Sequence, residues 1–364
     1  MYTDERALLA SKLETTLTSR SKPVREAIAQ IERTGSLLDD YVVPVKSINF
    51  TRDLSDQANV KMNFEYDGHF VSTGIHQHAA GQIGDKFGVP PGYLKTLTYG
   101  SNWQRNLAAT VMNEHASNIE RDRVLIRVVE NDARGFLSDK YRRLNNMQIA
   151  LAFLMGAQAT ESVLVDAHAG ETKGFLEVIN PNIVEFDTPL NGRNFACIGA
   201  RYRNSDFGDG ALEVYLFALM VKCMNGLVGQ SMLREFHLGG KIPEDIRISD
   251  ATYQKDTDAK ASLVGDIMKQ IYLPETTDKL IHKIQGASSK EINLIYEVEK
   301  LPKLGLTLTE KDAVGAVLME NNPENGLQGA NTLWKLVNGL TAVARDAKPE
   351  RKRELELIAS EMLR

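Results

Sequence analysis

The chain has 364 residues, of which 43% are hydrophobic and 25% are charged, a composition typical of a globular protein and not of a disordered or fibrous one. Its length favours one large domain or two modest domains. The formal net charge of −5 argues against a protein that coats duplex DNA by bulk electrostatic attraction, because such binding needs many excess cations.

The cysteine content and the lack of long apolar segments indicate a reducing, aqueous compartment. Cys197 and Cys223 are too few for a disulfide framework or a zinc cluster. The sequence has no apolar run long enough to span a bilayer, and its first residues lack the apolar stretch of a signal peptide. We therefore expect a cytoplasmic protein with neither a membrane span nor a signal peptide.

Residues 1–40 predict an N-terminal helical arm. A weak helical pattern covers residues 4–19, and a second helix has stronger boundary signals. Ser21 is its expected cap, Pro23 lies near its first turn, and Gly35 follows its end. We expect this arm to pack on the body of the protein or on a neighbouring subunit.

Residues 41–240 predict an α+β core that carries the unusual polar segments. Asp67-Gly68 is typical of a hairpin turn between two short strands, and Gly88 ends a predicted helix that begins near His76. A second hairpin is predicted around Asn131-Asp132, and further strands follow.

Residues 241–364 predict a C-terminal helical region, in which Thr309 with Asp312 resembles a capping box. The expected helices cover residues 256–272, 275–285, 309–320, 331–346 and 350–363. The fold class that follows is α+β, with a central mixed or antiparallel sheet, flanking helices and a helical C-terminal third.

The first unusual segment, residues 133–146, places an aromatic residue and three cations next to one another. Lys140, Tyr141, Arg142 and Arg143 suit an anionic partner, because guanidinium groups match phosphate geometry and a ring can stack on a base. The alternative is structural: Asp139 pairs with Arg142 or Arg143, Tyr141 fills the core, and Asn145 caps the next helix.

The second segment, residues 201–210, repeats this chemistry on a predicted strand. Arg201 and Arg203 lie two residues apart and so share one face, with Tyr202 on the other. The turn-forming residues that follow are Asn204, Ser205, Asp206 and Gly208. The alternative is an ordinary strand that ends in a polar loop.

The third segment, residues 222–226, contains the dipeptide Asn225-Gly226, which is typical of a tight turn. Cys223 has an adjacent lysine but no recognisable histidine partner, so a buried structural thiol is favoured over a nucleophile.

Two possible catalytic or metal patterns are weak. His76 and His78 are two residues apart, but the segment begins a helix, where such side chains diverge. Asp166 with Glu171-Thr172-Lys173 resembles a nuclease pattern, but the tripeptide lies between glycines in a predicted hairpin turn. The known phosphate-loop, serine-elbow and zinc-helix motifs are absent from the sequence. We expect no metal and no cofactor.

The phrases GFLSDKYRRLNN, RYRNSDFG and KCMNGLV, in this order, resemble the phage/plasmid-like family built on a domain of unknown function. Residues that match are Ser138, Asp139, Tyr141, Arg142, Asn204, Ser205, Gly208, Cys223, Asn225 and Gly226. Lys140 stands where arginine is frequent, and Met224 where threonine is frequent. The resemblance implies a bacteriophage or mobile-element origin and action in the cytoplasm of a bacterial host. It implies no particular activity.

The leading hypothesis is a non-catalytic protein that holds single-stranded DNA during annealing, recombination or replication. The residues expected to contact phosphates or bases are Lys140, Arg142, Arg143, Arg201, Arg203, Tyr141, Tyr202 and Phe207. The residues expected to shape the motifs are Ser138, Asp139, Asn204, Ser205, Asp206, Gly208, Cys223, Asn225 and Gly226. A helical arm at each end would suit assembly into a homo-oligomer.

Two alternatives belong to other functional classes. In the first, the chain binds a host or phage protein and inhibits or redirects a host enzyme, and the motif arginines form internal ion pairs. In the second, it is an enzyme of unrecognised chemistry, with Asp139, Asn204 and Asp206 around a central cleft.

Overall fold

The computed structural model describes residues 2–52, 60–120, 123–237, 246 and 248–363, with side chains described from Glu5 onward. Its elements confirm the α+β class, with mixed and antiparallel sheets, flanking helices and a helical C-terminal region. The helices are α1 (Tyr2–Ser36), α2 (Gln77–Phe87), α3 (Pro91–Thr98), α4 (Asn102–Asn118), α5 (Asn146–Ala159), α6 (Asp250–Gln270), α7 (Pro274–Ala287), α8 (Leu294–Val298), α9 (Leu308–Glu320), α10 (Leu333–Arg345) and α11 (Pro349–Glu361). The strands are β1 (Leu38–Pro44), β2 (Asn49–Arg52), β3 (Val60–Tyr66), β4 (His69–Ile75), β5 (Arg123–Val129), β6 (Asp132–Ser138), β7 (Val163–Ala169), β8 (Gly174–Thr188), β9 (Gly192–Asn204), β10 (Leu212–Met220) and β11 (Asn225–Glu235).

The first sheet has the strand order β1-β5-β6-β4-β3-β2 and is mixed, because β4 and β6 run parallel. Strands β3 and β4 form the hairpin predicted at Asp67-Gly68, and both turn residues have positive φ. Helices α2 to α4 pack on this sheet around a core drawn from residues 43–136. Gly88 ends α2 in the left-handed conformation, as predicted.

The second sheet is antiparallel throughout, in the order β11-β10-β9-β8-β7. Its main core cluster extends from Val24 in α1 to Leu363 after α11 and includes the side chains of α5, α6 and α10. The predicted boundary at residue 40 falls inside β1, and the one at residue 240 lies outside the described residues. The main core cluster of the second sheet contains residues from all three predicted regions. The division into three domains stays a prediction.

Helix α1 differs from the predicted arm. It is one continuous helix with Pro23 in its interior, and the Ser21 hydroxyl donates to the carbonyl of Thr18 and caps nothing. Leu9 and Leu13 before the proline, and Val24 after it, are all buried against the second sheet and its helices. The arm therefore packs on this chain's own body, and association with a neighbouring subunit stays a prediction.

The structure also corrects two local predictions in the C-terminal region. Helix α6 begins at Asp250, earlier than predicted, with Ser249 as its cap. The capping box of α9 is formed by Thr307 and Glu310, not by Thr309 and Asp312. Among the described helices, none is both long and apolar enough to cross a membrane.

Candidate functional site

The first two sequence motifs meet where the two sheets join. The Tyr141 hydroxyl donates to the carbonyl of Ser205 (3.3 Å), and the Asn204 amide donates to the carbonyl of Leu144 (2.9 Å). The Asp206 carboxylate accepts from the backbone N–H of Asn146 at the start of α5 (2.8 Å). The motif residues therefore bind each other, which is the arrangement expected of polar groups that are buried.

A buried arginine that the sequence did not single out lies at the centre of this junction. Arg127 on β5 is fully buried, and its guanidinium donates to Asp40 Oδ1 (2.7 Å), the Asp206 carbonyl (2.7 Å) and Asn145 Oδ1 (2.8 Å). Burial disfavours its charge, but the carboxylates of Asp40 and Asp206 outweigh that effect and raise the pKa of Arg127. Arg127 could have been recognised in the sequence, because it is a charged residue inside the otherwise apolar segment 124–129.

His237 is a second participant that the sequence did not indicate. Its ring stacks on Tyr141 (centroids 5.0 Å apart), and its nitrogens lie 2.9 Å from the Arg142 carbonyl and 2.8 Å from Asn204 Oδ1. Burial lowers the pKa of His237 to about 4. His237 therefore joins both motifs through one side chain.

The turn after β9 is built around two small residues. Ser205 Oγ donates to the Thr172 carbonyl (2.7 Å) and accepts from the N–H groups of Phe207 and Asp209 (3.1 Å each). Gly208 has φ +77°, and a Cβ there would lie 2.7 Å from a methyl group of Leu137. The positive φ and the lack of room for a Cβ explain why a glycine stands at position 208, in agreement with the structural role predicted for this turn.

The aromatic residues predicted to stack on bases are buried. Tyr141 is 7% exposed, Phe207 2% and Tyr202 0%. Tyr202 packs against Phe153, and its hydroxyl donates to Asn146 Oδ1 (2.7 Å). These rings are core residues in the folded chain, which corrects the prediction, because base stacking requires an accessible ring face.

Three of the predicted phosphate-binding arginines are paired with carboxylates of the same chain. Arg142 forms a two-pronged pair with Asp256 (2.7 and 2.8 Å) and reaches Glu235 (3.1 Å). Arg143 pairs with Asp250 at 2.8 Å and with Asp40 at 3.6 Å, and Arg203 pairs with Glu213 at 3.2 Å. The expected partner Asp139 is in none of these pairs, which corrects the predicted pairing.

The fourth arginine, Arg201, belongs to a buried ion cluster between β8, β9 and α11. It is 2% exposed and pairs with Glu356 and, at 2.9 Å, with Glu177. Nearby, Asp166 accepts from Lys352 (2.6 Å). The nuclease pattern considered in the sequence combined Asp166 with Glu171-Thr172-Lys173. Residues 171–173 lie in the turn between β7 and β8, where Lys173 pairs with Asp209 (3.2 Å). Asp166 and the tripeptide therefore make separate structural contacts.

The third motif lies beside this cluster and not beside the first two. The tight turn precedes Asn225-Gly226 and ends at Met224 (φ +56°), whereas Asn225 and Gly226 begin β11, which corrects the predicted turn. A Cβ on Gly226 would lie 2.8 Å from a carboxylate oxygen of Glu356, so the glycine makes room for the ion cluster. Cys223 is buried, and burial raises the pKa of its thiol.

His76 and His78 point to different partners. His76 Nδ1 accepts from the His78 N–H (3.2 Å) and caps α2, while its Nε2 donates to Glu171 (3.0 Å). His78 Nε2 lies 2.9 Å from the Phe207 carbonyl. In the described part of the chain, no group of three or more histidine, cysteine or acidic side chains is arranged to hold a metal ion.

A cleft of about 460 Å³ lies between β1, the β3–β4 hairpin and the start of α6. Asp139, Lys140 and Arg143 of the first motif line it, but Asn204 and Asp206 do not. Its described lining contains five carboxylates and three cations. The enzyme hypothesis required one cleft that joins the first two motifs, and this cleft does not do so.

The chain matches no family model, no curated protein sequence and no solved structure. The three sequence phrases therefore stay a resemblance. Phage origin, action in a bacterial cytoplasm and nucleic-acid binding stay predictions.

Proposed function

We propose that this chain is a non-catalytic binding protein whose partner is another protein. One observation carries the proposal: each motif arginine, Arg142, Arg143, Arg201 and Arg203, is paired with a carboxylate of its own chain. A phosphate would have to displace that carboxylate and leave it without its cation, a costly exchange where the pair is buried. If the resemblance to phage proteins holds, the natural partner is a host protein that the chain inhibits or redirects.

Single-stranded DNA is the second candidate partner, and one observation favours it. The cleft brings together the cations Arg123, Lys140 and Arg143 with the side chains of Tyr66 and Tyr253. Cations beside tyrosine rings are typical of surfaces that bind single strands. Arg143 already lies over the Tyr253 ring, 4.6 Å from its centroid, so a nucleotide would compete with a contact within the chain.

The double variant Arg142→Ala with Arg143→Ala separates the two candidates. For a protein-binding chain, we expect it to lower the free energy of unfolding by about 1–3 kcal/mol, because charge-assisted pairs to Asp256 and Asp250 are lost. We expect no salt-sensitive affinity for a labelled single-stranded oligonucleotide in either protein. Urea unfolding and fluorescence anisotropy at about 20 and about 200 mM salt measure the two quantities.

The matched control is Arg25→Ala, which removes one exposed cation from α1. Tight binding of the single strand that weakens with salt, is lost in the double variant and persists in the control would overturn the protein-binding proposal in favour of DNA. Photo-cross-linking of the intact chain in a bacterial extract, with and without nuclease treatment, then shows whether the captured species is a protein or a nucleic acid.

A further inference from the structure

The cleft borders a free edge of the first sheet. Strand β1 is the terminal strand of the order β1-β5-β6-β4-β3-β2, and every register partner of its residues is on β5. Asp40, Val42 and Pro44 of β1 line the cleft. Along β1, the Val42 carbonyl already accepts from the Arg123 guanidinium (2.7 Å) and Pro44 has no N–H. The remaining backbone N–H and C=O groups of the edge are those that an extended peptide can pair with as an added strand.

The β3–β4 hairpin supplies carboxylates beside that edge. The Tyr41 ring on β1 packs edge-on against the rings of Phe64 and Tyr66, with ring centroids 5.4 Å and 5.2 Å apart. This packing holds the end of β3 against β1. Glu65 and Asp67 flank Tyr66 and line the same cleft, and both are exposed. The packing of three aromatic rings thus places two carboxylates next to the strand edge.

The charges in the cleft favour a cationic occupant. Glu65, Asp67 and Asp139 form no ion pair with another described residue. By contrast, Arg143 is held by Asp40 and Asp250. The described lining of the cleft has five carboxylates and three cations, so a lysine or arginine side chain gains more here than a phosphate does.

We infer that this cleft binds an extended segment of a partner protein, rich in lysine or arginine, which adds to the free edge of β1. The inference rests on the proposed function and specifies the chemistry of the partner. Strand pairing supplies affinity through backbone hydrogen bonds, and alternate side chains of the segment meet Glu65, Asp67 and Asp139.

The test uses the full chain and a labelled peptide of alternating lysine and threonine, about as long as an ordinary strand. We expect salt-sensitive binding in fluorescence anisotropy. The same peptide with alternate N-methylated amides cannot pair fully with a strand edge, and we expect it to bind about tenfold more weakly or worse. A glutamate-threonine peptide controls for charge.

The triple variant Glu65→Gln, Asp67→Asn and Asp139→Asn removes the three carboxylates with little change in shape. We expect it to weaken lysine-peptide binding by about tenfold or more. The matched control, Glu32→Gln with Glu114→Gln and Asp278→Asn, removes three exposed carboxylates elsewhere and should bind as the parent does. Equal urea midpoints show that both variants remain folded.

Three outcomes overturn the inference: no binding of the lysine peptide at low salt, equal binding of the N-methylated peptide, or unchanged binding by the triple variant. Capture of a protein partner that persists undiminished in the triple variant also overturns it but leaves the proposed function intact. Binding of a single-stranded oligonucleotide that competes with the lysine peptide assigns the cleft to the DNA candidate.

Discussion

At the scale of single residues, the buried guanidinium groups are the strongest constraints on this molecule. Arg127 joins the first sheet to the turn after β9, and Arg201 joins the second sheet to α11. A buried ion pair need not stabilise a fold more than an apolar contact does, but loss of one partner leaves a charge without compensation. Each guanidinium therefore makes its carboxylate partners indispensable.

The substitution Glu356→Ala tests this dependence. It removes one of the two carboxylates next to Arg201 while the guanidinium stays buried, so we expect the free energy of unfolding to fall by about 3–5 kcal/mol. Glu354→Ala is the control on the same helix, because its pair with Arg351 is exposed and should change stability by less than about 1 kcal/mol. Urea denaturation followed by circular dichroism gives both values, and similar small losses would contradict the argument.

His237 gives the folded chain a pH dependence with a definite sign. Burial lowers its pKa to about 4 in the folded state, so the unfolded chain binds a proton at higher pH than the folded chain does. The contribution of neutral His237 is fully present above about pH 6.5 and is lost as the pH falls toward about 4, amounting to roughly 3 kcal/mol. We expect His237→Gln to lose this part of the pH profile. Identical unfolding profiles of the parent and the variant between about pH 7 and pH 4 would show that His237 does not titrate as described.

At the scale of elements, tertiary packing keeps α1 helical although its interior contains a proline, a residue that normally breaks a helix. Pro23 cannot donate a backbone hydrogen bond, and its ring crowds the preceding turn. Leu13 on one side of the proline and Val24, Ala27 and Ile31 on the other are nevertheless buried in the same continuous helix. Burial on both sides of the proline compensates for the defect.

We expect Pro23→Ala to raise the free energy of unfolding by about 1–3 kcal/mol, because it restores a helix hydrogen bond and removes the clash. Pro91→Ala is the matched control, since Pro91 occupies the first position of α3, where proline is well tolerated. The urea midpoints of the two variants measure the difference. A destabilised Pro23→Ala protein would contradict the argument that the proline is a defect in α1.

At the scale of the whole molecule, the two hydrophobic cores differ in how the chain supplies them. The core of the first sheet comes from the contiguous residues 43–136. The main core of the second sheet needs Val24, Ala27 and Ile31 of α1 as well as residues from 144 to 363. One core is therefore local in sequence, and the other closes only when both ends of the chain are in place.

We expect a fragment of residues 37–138 to fold alone, with a cooperative urea transition and protected amides in β3 to β6. A fragment of residues 139–364 lacks α1 and exposes the apolar face that α1 covers, so we expect it to lack a cooperative transition. Circular dichroism and amide hydrogen exchange test both fragments. A non-cooperative 37–138 fragment would show that the contacts of Arg127 with Asp206 are needed to hold the first sheet together.

The sequence determined the features that depend on neighbours along the chain. The hairpin at Asp67-Gly68, the end of α2 at Gly88 and the opposite placement of Tyr202 and Arg201 on β9 all follow from local backbone preferences or strand alternation. The α+β class follows from the order of such local patterns. These properties could be predicted because each needs only a few consecutive residues.

Only the tertiary structure decided what the motif side chains do. The partner of Arg142 is Asp256, 114 residues away, and that of Arg201 is Glu356, 155 residues away. Strand alternation predicts that two side chains face opposite sides, but not that Tyr202 enters the core while Arg201 meets a C-terminal helix. The choice depends on which surfaces the closed chain brings together, and long-range burial, not local preference, sets the free energy of that choice.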